Sequence, residues 1–468
     1  LGPQLGEERR ARLLAKLTSQ GNAFMTQTLL MRDYWGGSVL QDHGWRAMFD
    51  FGTAAMHLWG IIPDADRWVA YVVPRIQRAL DAAPTDGVLP GSSYYALQLY
   101  VHNVMWYRDA FLARTGQDIY DHPSLRRVPS FLGAVMNEDG TALLVSENGD
   151  RISLRGGGAF LNALASRFRD PDAIRATRGM LNMPESELNR GDSIAAYTGL
   201  LWGFFAYDPS TESVTLPTRP RRNLLWFKDS GLVHYRNDDE GVVLALRCGP
   251  WLGYNAQAKA TGPCDMMECL VGAGHFAVLL SGQPMLVTPG PGYSIRSTSC
   301  SCMLVDGKGH IGDIGYPMSI PSQPYRGETV EDARWDETTG EGVIRLNLKP
   351  AYPPEAGVTN YTREFLIFPK GRIVCRDQVA LSQPRTLSWL FQTKKEHGAG
   401  VSNGVARLGK GPVLQIAPHP AAGITLTAGM EPTKMVWSYT GSGTPLEHVR
   451  YDTQAPVSSA TMEFVLSW

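Results

Sequence analysis

The chain has 468 residues, 43% of them apolar and 19% charged, which is the balance of an ordinary globular protein long enough for two or more domains with real cores. Its 44 basic and 45 acidic residues leave a net charge of -1, which argues against a partner held through bulk charge, whether nucleic acid or a membrane surface. No apolar run is long enough to span a bilayer. An anionic ligand would therefore be held by local cations in a cleft.

The start, Leu1-Gly2-Pro3, carries no signal peptide and reads as a trimmed end, which leaves room for a removed one. Up to about residue 210 the apolar spacing is helical. GEERRARLLAKLTSQ, RAMFDFGTAAMHLWGI, DADRWVAYVVPRIQRALDAA, SYYALQLYVHNVMWYRDAFLART, HPSLRRVPSFLGAVMN, GAFLNALASRF and GDSIAAYTGLLWGFFAYD all repeat apolar residues at i, i+3, i+4 and i+7. Asp64, Ser93 and Asp192 stand where an N-cap would satisfy the first free amides. Several of these helices are apolar on more than one face and rich in aromatic residues. Such helices pack on both sides, as in a ring of helical hairpins with aromatics lining the hole.

From TLPTRPRRNLLWFKD onward the period becomes two, with short strands recurring between Gly, Asn, Asp and Pro turns, as in a large antiparallel sandwich. The Pro/Arg-rich segment 216–222 is the natural linker. The spacing thus predicts a two-domain α+β chain, helical over 1–212 and antiparallel β over 222–468. Six cysteines (Cys248, Cys264, Cys269, Cys300, Cys302 and Cys375) occur in no standard zinc spacing, so buried or paired thiols and no metal or other cofactor are expected. The glycine run Arg155-Gly156-Gly157-Gly158 lacks a preceding strand and a P-loop lysine, and no G-x-S-x-G elbow occurs.

The stretch GAGHFAVLLSGQPMLVTPGPGYSIRSTSCSCMLVDGKGH, from Gly272 to His310, reads as consecutive short strands joined by Gly/Pro turns. In its order of residues it resembles the sheet domain of heparinase II/III-type polysaccharide lyases, where a GxF strand, a G-x-P-L-L strand, a D-P-G turn and a V-D-G-x-G turn follow one another. The resemblance covers nearly the whole chain. It implies an incomplete (α/α) toroid followed by a large antiparallel β-sandwich, and cleavage of acidic polysaccharides by β-elimination.

It also implies site residues. Q-D-H-G-W-R at 41–46 resembles the family's N-N-H-G-x-W opening and aligns His43 with its catalytic His. Asp42 stands where the family has Asn, and a carboxylate cannot neutralise another carboxylate, so Arg46 one turn on would take that task beside Trp45. D-G-V-L-P-G-S-S-Y-Y at 86–95 resembles the D-G-x-x-x-E-G-x-x-Y stretch, with Pro90 in place of Glu. Tyr94 or Tyr95 would be the acid/base. Tyr95, Gln98 and His102 share a helical face. T-G-x-D-I-Y-x-H-P-x-L-R, from Thr115 to Arg126, matches the family almost position for position.

The sheet segments depart furthest from the family. The family's G-H-x-H-x-D and H-N-T histidines are missing, and Cys264, Asp265, Glu268, Cys269, Cys300 and Cys302 occupy the neighbourhood, with His275 the nearest imidazole. A pairing of Cys264 or Cys269 with Cys300 or Cys302 would staple the two loops that a metal otherwise joins. Tyr254, Asn255, Gln257 and Lys259 are placed to line a sugar cleft from the sheet side, and His310 reads as a surface turn.

These features together predict a secreted or periplasmic lyase. It would take an acidic polysaccharide or oligosaccharide as substrate and act through His43 with Tyr94 or Tyr95. An epimerase or glycoside hydrolase on the same scaffold and a non-catalytic carbohydrate-binding protein are the alternatives.

Overall fold

The computed structural model describes residues 5–26, 42–88, 101–137, 141–146, 149–153, 158–181, 203–250, 252–259, 272–288, 297–311, 326–433 and 445–468. Its helices are α1 (Glu7–Phe24), α2 (Asp42–Leu58), α3 (Ala65–Ala82), α4 (Val101–Thr115), α5 (Pro123–Arg126), α6 (Val128–Val135), α7 (Gly158–Phe168), α8 (Pro171–Leu181) and α9 (Tyr254–Lys259). Helix α2 lies between α3 and α4 because it is apolar on two faces. Phe51 meets Trp68 of α3 at 5.5 Å between ring centroids, and Phe49 meets Tyr107 of α4 at 5.5 Å. Two residues apart on a helix, these rings point in opposed directions. Gly52 lets the three helices close up, since a Cβ there would lie 2.9 Å from both Ile76 and Tyr107. Asp64 precedes α3 as expected, yet its side chain makes no cap; it accepts a hydrogen bond from Asn22 Nδ2 of α1 at 3.1 Å instead. Ser93 and Asp192 lie outside the described residues.

The helical spacing read over the first 210 residues passes over a hairpin. Strands β1 (Thr141–Ser146) and β2 (Gly149–Ser153) pair antiparallel. Leu143 and Val145 then bury against Val243, Ala245, Ala277 and Leu279 of the first large sheet. That sheet has the order β3 (Arg222–Phe227), β4 (Leu232–Asn237), β5 (Val242–Arg247), β6 (His275–Leu280) and β7 (Gln283–Leu286). Its other face joins a core shared with the remaining sheets, as where Phe276 meets Phe365 at 4.9 Å. Covered on both faces, β5 is buried at every position but its last and β6 throughout, which explains why Val242–Leu246 and Phe276–Leu280 read as apolar runs.

An eight-stranded sheet contains β9 (Thr329–Asp336), β10 (Glu341–Asn347), β11 (Val358–Phe368), β12 (Arg372–Arg385), β14 (Gly400–Ser402), β15 (Val405–Leu408), β16 (Leu414–Pro420) and β19 (Val457–Ser467). A four-stranded sheet contains β8 (Met303–Val305), β13 (Leu387–Lys394), β17 (Leu426–Pro432) and β18 (Leu446–Thr453). All described strand pairs are antiparallel. Strand β10 alternates buried and outward residues, the mark of a sheet covered on one face.

One ion pair sits at the centre of the β core. Arg363 and Asp377 face each other across β11 and β12, with Nε to Oδ1 and Nη2 to Oδ2 both at 2.8 Å. Asp377 Oδ2 also accepts from Tyr361 at 2.9 Å and Trp389 Nε1 at 2.8 Å, while Arg363 Nη1 donates to the carbonyls of Gly274 and Ser301 at 3.0 Å. With every charge matched by hydrogen bonds, the pair fixes the 297–302 loop to the sheet.

Candidate active site

The first two turns of α2 carry the residues expected to act. Positions 43, 46 and 50 follow one helical face at i, i+3 and i+7. The side chains of Asp42, His43 and His102 are outside the described part, as are Tyr94, Tyr95, Gln98, Asp265 and Glu268 entirely. Arg46 is 56% exposed, and its Nε stands 3.9 Å from Asp50 Oδ2, a loose ion pair that leaves the guanidinium open to an anion. Helix α4 completes the group. The buried Asn103 Nδ2 donates to Asp50 Oδ1 at 2.6 Å and approaches the Arg46 carbonyl at 3.5 Å. The side chain of Asp50 is 44% exposed. Its pKa is nonetheless raised to about 6, because partial burial against the protein outweighs the attraction of Arg46 and the hydrogen bond from Asn103. A carboxylate with a raised pKa beside an exposed guanidinium marks Arg46 and Asp50 as a candidate site. Asp50 and Asn103 were not marked by any motif; the i+4 spacing from Arg46 was the one available signal.

Trp45 is corrected to a core residue. It is buried and packs on Phe49 at 5.2 Å, so it offers no ring face to a sugar.

On the sheet side, α9 serves chiefly to fasten the two halves together. Asn255 Nδ2 donates to the carbonyls of Asp81 and Ala83 at 2.8 Å, and Lys259 Nζ to that of Asp81 at 2.6 Å. These groups satisfy the last carbonyls of α3, where a cation also suits the helix dipole. Gln257 is half-buried. Tyr254 remains partly exposed, its hydroxyl 2.6 Å from Thr329 Oγ1. Asp229 binds the same seam from β3's end, accepting from the amides of Asn255 and Thr85.

The Asp86-Gly87 pair that leads toward Tyr94 and Tyr95 also has a structural basis. Asp86 Oδ2 accepts from the Ser230 amide at 2.8 Å and the Ser230 hydroxyl at 2.9 Å, and burial raises its pKa. Gly87 has φ +85, and a Cβ there would collide with the Arg127 carbonyl.

Two histidines prove to be internal. His275 is buried, with Nδ1 accepting from the Ser301 amide at 2.8 Å and Nε2 3.2 Å from Thr288 Oγ1; burial, with Arg363 adding to it, lowers its pKa to about 3. It is a neutral part of the core and does not line a cleft. His310 was read as a surface turn. It is instead buried edge-on to Tyr352 at 4.8 Å, and burial lowers its pKa to about 3. The turn at Asp306 and Gly307 is present, but the chain then dives beneath Tyr352. Cys300 and Cys302 are buried beside Gly272 and the Ser297 carbonyl respectively. Cys264 and Cys269, their expected partners, lie outside the described residues. Among the described residues no group of three His, Cys, Asp or Glu side chains is placed to hold a metal ion.

Solved structures share this fold. The chain is similar to heparinase III, with a TM-score of 0.65 and 10% identity over 97% of this chain and 64% of that one. Against the heparan sulfate lyase of Pedobacter heparinus the TM-score is 0.61, with 11% identity over 97% of this chain and 63% of that one. A second heparinase III gives 0.60, with 11% identity over 91% of this chain and 58% of that one. The chain therefore spans about three fifths of the length of these structures. No protein-family model and no curated protein matches it in sequence. At this identity the likeness establishes the α+β fold of helices followed by large antiparallel sheets, and no more.

Proposed function

We propose that the chain is a polysaccharide lyase that cleaves a uronic-acid-containing glycan by β-elimination, its helices forming an incomplete toroid over the sheet domain. The observation that carries the reading is the Arg46–Asp50–Asn103 group on α2 and α4, on the face that His43 shares by position. Its place in a heparinase III-like fold supports the same reading.

Elimination moves three things. A base takes the C5 proton, the C4–C5 double bond forms, and the C4–O4 bond breaks as an acid protonates O4. The C5 proton becomes acidic only when the adjoining carboxylate is neutralised. Arg46 is the described group suited to that task, being exposed, forked and loosely held. Asp50 tempers its charge, and Asn103 holds Asp50 in place. His43 and one of Tyr94 and Tyr95 are the proposed base and acid. Asp42, next to His43 where the family has Asn, is not required for neutralisation in this scheme. The enzyme would act outside the cytoplasm, secreted or periplasmic, where such glycans occur. Among the described residues no helix is long and apolar enough to cross a membrane.

The test is incubation with alginate, glucuronan and glycosaminoglycans while ultraviolet absorbance is followed. Growth of absorbance on at least one of them is expected, because only elimination makes an unsaturated uronate end. A flat trace on all three, with chain length unchanged, contradicts the proposal.

A further inference from the structure

We infer that the 297–302 loop of the sheet half is an acid-operated latch, closed by the neutral ring of His275 and released, together with the Cys300 thiol, when that ring takes up a proton. It operates whatever the chemistry of the candidate active site.

The loop reads S-T-S-C-S-C, yet Ser297, Ser299, Cys300, Ser301 and Cys302 are all buried. Polar groups so placed must find partners inside the protein, and three strands supply them. From β11, Arg363 Nη1 donates to the Ser301 carbonyl at 3.0 Å. From β13, the Gln392 amide donates to Ser301 Oγ and its Nε2 to the Thr298 carbonyl, both at 3.1 Å, while the Leu390 amide donates to the Cys302 carbonyl at 2.9 Å. From β6, His275 Nδ1 accepts from the Ser301 amide at 2.8 Å. Of these partners only the histidine has an ordinary pKa near neutrality, about 6.5.

The contact from β6 dictates a protonation state. A backbone amide only donates, so Nδ1 must offer its lone pair, and the ring hydrogen sits on Nε2, 3.2 Å from Thr288 Oγ1. A second proton would land on Nδ1 and set donor against donor. Among the described residues no carboxylate hydrogen-bonds to the ring to offset that. The charged groups on the neighbouring strands are Arg363, closed on Asp377, and Arg247, which stands opposite His275 on β5 and donates to the Ser230 carbonyl at 3.2 Å. The other titratable groups against this region are the thiols of Cys300 and Cys248, and His310, whose amide donates to Ser297 Oγ at 2.8 Å.

Ring and thiol are uncovered together. A Cβ on Gly272 would lie 2.9 Å from Cys300 Sγ and 3.2 Å from His275 Cβ, so one turn of chain covers both. In the closed latch burial, with Arg363 adding to it, lowers the His275 pKa to about 3, whereas a ring exposed to water titrates near about 6.5. The closed form therefore stays neutral while the open form takes up a proton. Closure is at full strength above about pH 6.5 and is lost as pH falls toward about 3, opening gaining up to about tenfold per pH unit between them. At about pH 5 the open population exceeds its neutral-pH value about thirtyfold.

The test is thiol labelling of the full chain with dithiodipyridine, which reacts in acid, at about pH 7.5 and about pH 5, on either side of the ordinary histidine value. Each rate is divided by that of a small thiol at the same pH. Peptide mass spectrometry separates Cys300 from Cys375, which is fully buried in β12 and reports global unfolding. Cys300 should react about thirtyfold faster in the acid sample, with Cys375 protected in both. His275→Asn sets an amide oxygen near the place of Nδ1 and takes up no proton, so Cys300 labelling should lose its pH dependence. In the wild type, NMR of nitrogen-labelled histidine should show the His275 ring neutral in the acid sample, with its hydrogen on Nε2, a readout that does not require the variant to fold. Equal Cys300 rates at both pH values, acid acceleration retained by the variant, Cys375 labelling in step with Cys300, or a charged His275 ring in the folded protein would overturn the latch.

Discussion

Asp377→Asn tests the account of the β core most sharply. The aspartate is fully buried and receives four hydrogen bonds, two from Arg363 and one each from Tyr361 and Trp389. Asparagine keeps the shape but has a single acceptor oxygen. Its NH2 must then face either Arg363 Nε alone or Arg363 Nη2, Tyr361 and Trp389 together, donor against donor. It also leaves the Arg363 charge without its counterion in a dry interior. Breaking one partner of such a pair costs about 3–5 kcal/mol, against a total of roughly 5–15 kcal/mol for a typical domain. Guanidinium unfolding followed by tryptophan fluorescence, which includes Trp389, and by circular dichroism gives the loss for the β core. The pairing logic also predicts that Arg363→Met combined with Asp377→Leu recovers most of the stability, since matched apolar replacements of buried pairs are often neutral. A loss below about 1 kcal/mol in the single variant would put the pair in the class of solvent-screened bridges and refute the reasoning.

Three further outcomes are expected. Gly87→Ala should lower the melting temperature by the equivalent of at least about 2 kcal/mol, because the left-handed backbone and the Arg127 carbonyl both oppose a Cβ; an unchanged melting curve would contradict the strained-turn account. Tyr94→Phe or Tyr95→Phe, and His43→Ala, should each lower turnover at least about a hundredfold on a confirmed substrate with little change in melting temperature; if both tyrosine variants keep near-full activity, the phenols have no part in the chemistry. Asp50 has its pKa raised to about 6 in the folded chain, so the fold holds this proton more tightly than the unfolded chain does. Its contribution favours folding at low pH and fades as pH rises through about 6. Asp50→Asn should therefore gain stability over wild type at neutral pH. The gain is at most about 1 kcal/mol given solvent screening, and it should vanish toward pH 4 (about the ordinary carboxylate value). A pH-independent difference measured by thermal melts would sink the assignment.

Much of this fold was legible because periodicity reports burial directly. The change of apolar period near residue 215 separates a mainly helical part from strands that pair antiparallel throughout the described residues. The β1–β2 hairpin escaped, although Asn148-Gly149 is a known hairpin signal, because two short strands flanked by helices leave too little pattern. Tertiary partners were the harder part. Asn255 and Lys259 looked like polar cleft residues, yet they bind carbonyls more than 170 residues away in sequence. The raised pKa of Asp50 arises from burial in the folded chain, and the depth of His310 depends on Tyr352 passing over it. Local sequence carries none of these.

The chemistry itself is tested most directly by the oxygen balance of the products. Digestion of a cleaved uronate glycan in heavy-oxygen water, followed by mass spectrometry, distinguishes elimination from hydrolysis. Elimination adds no water, so the account predicts a new non-reducing end lighter by one water, with no heavy oxygen incorporated at the moment of cleavage. Fragments that carry one heavy oxygen per bond broken and no unsaturated end would show a hydrolase and contradict the central claim.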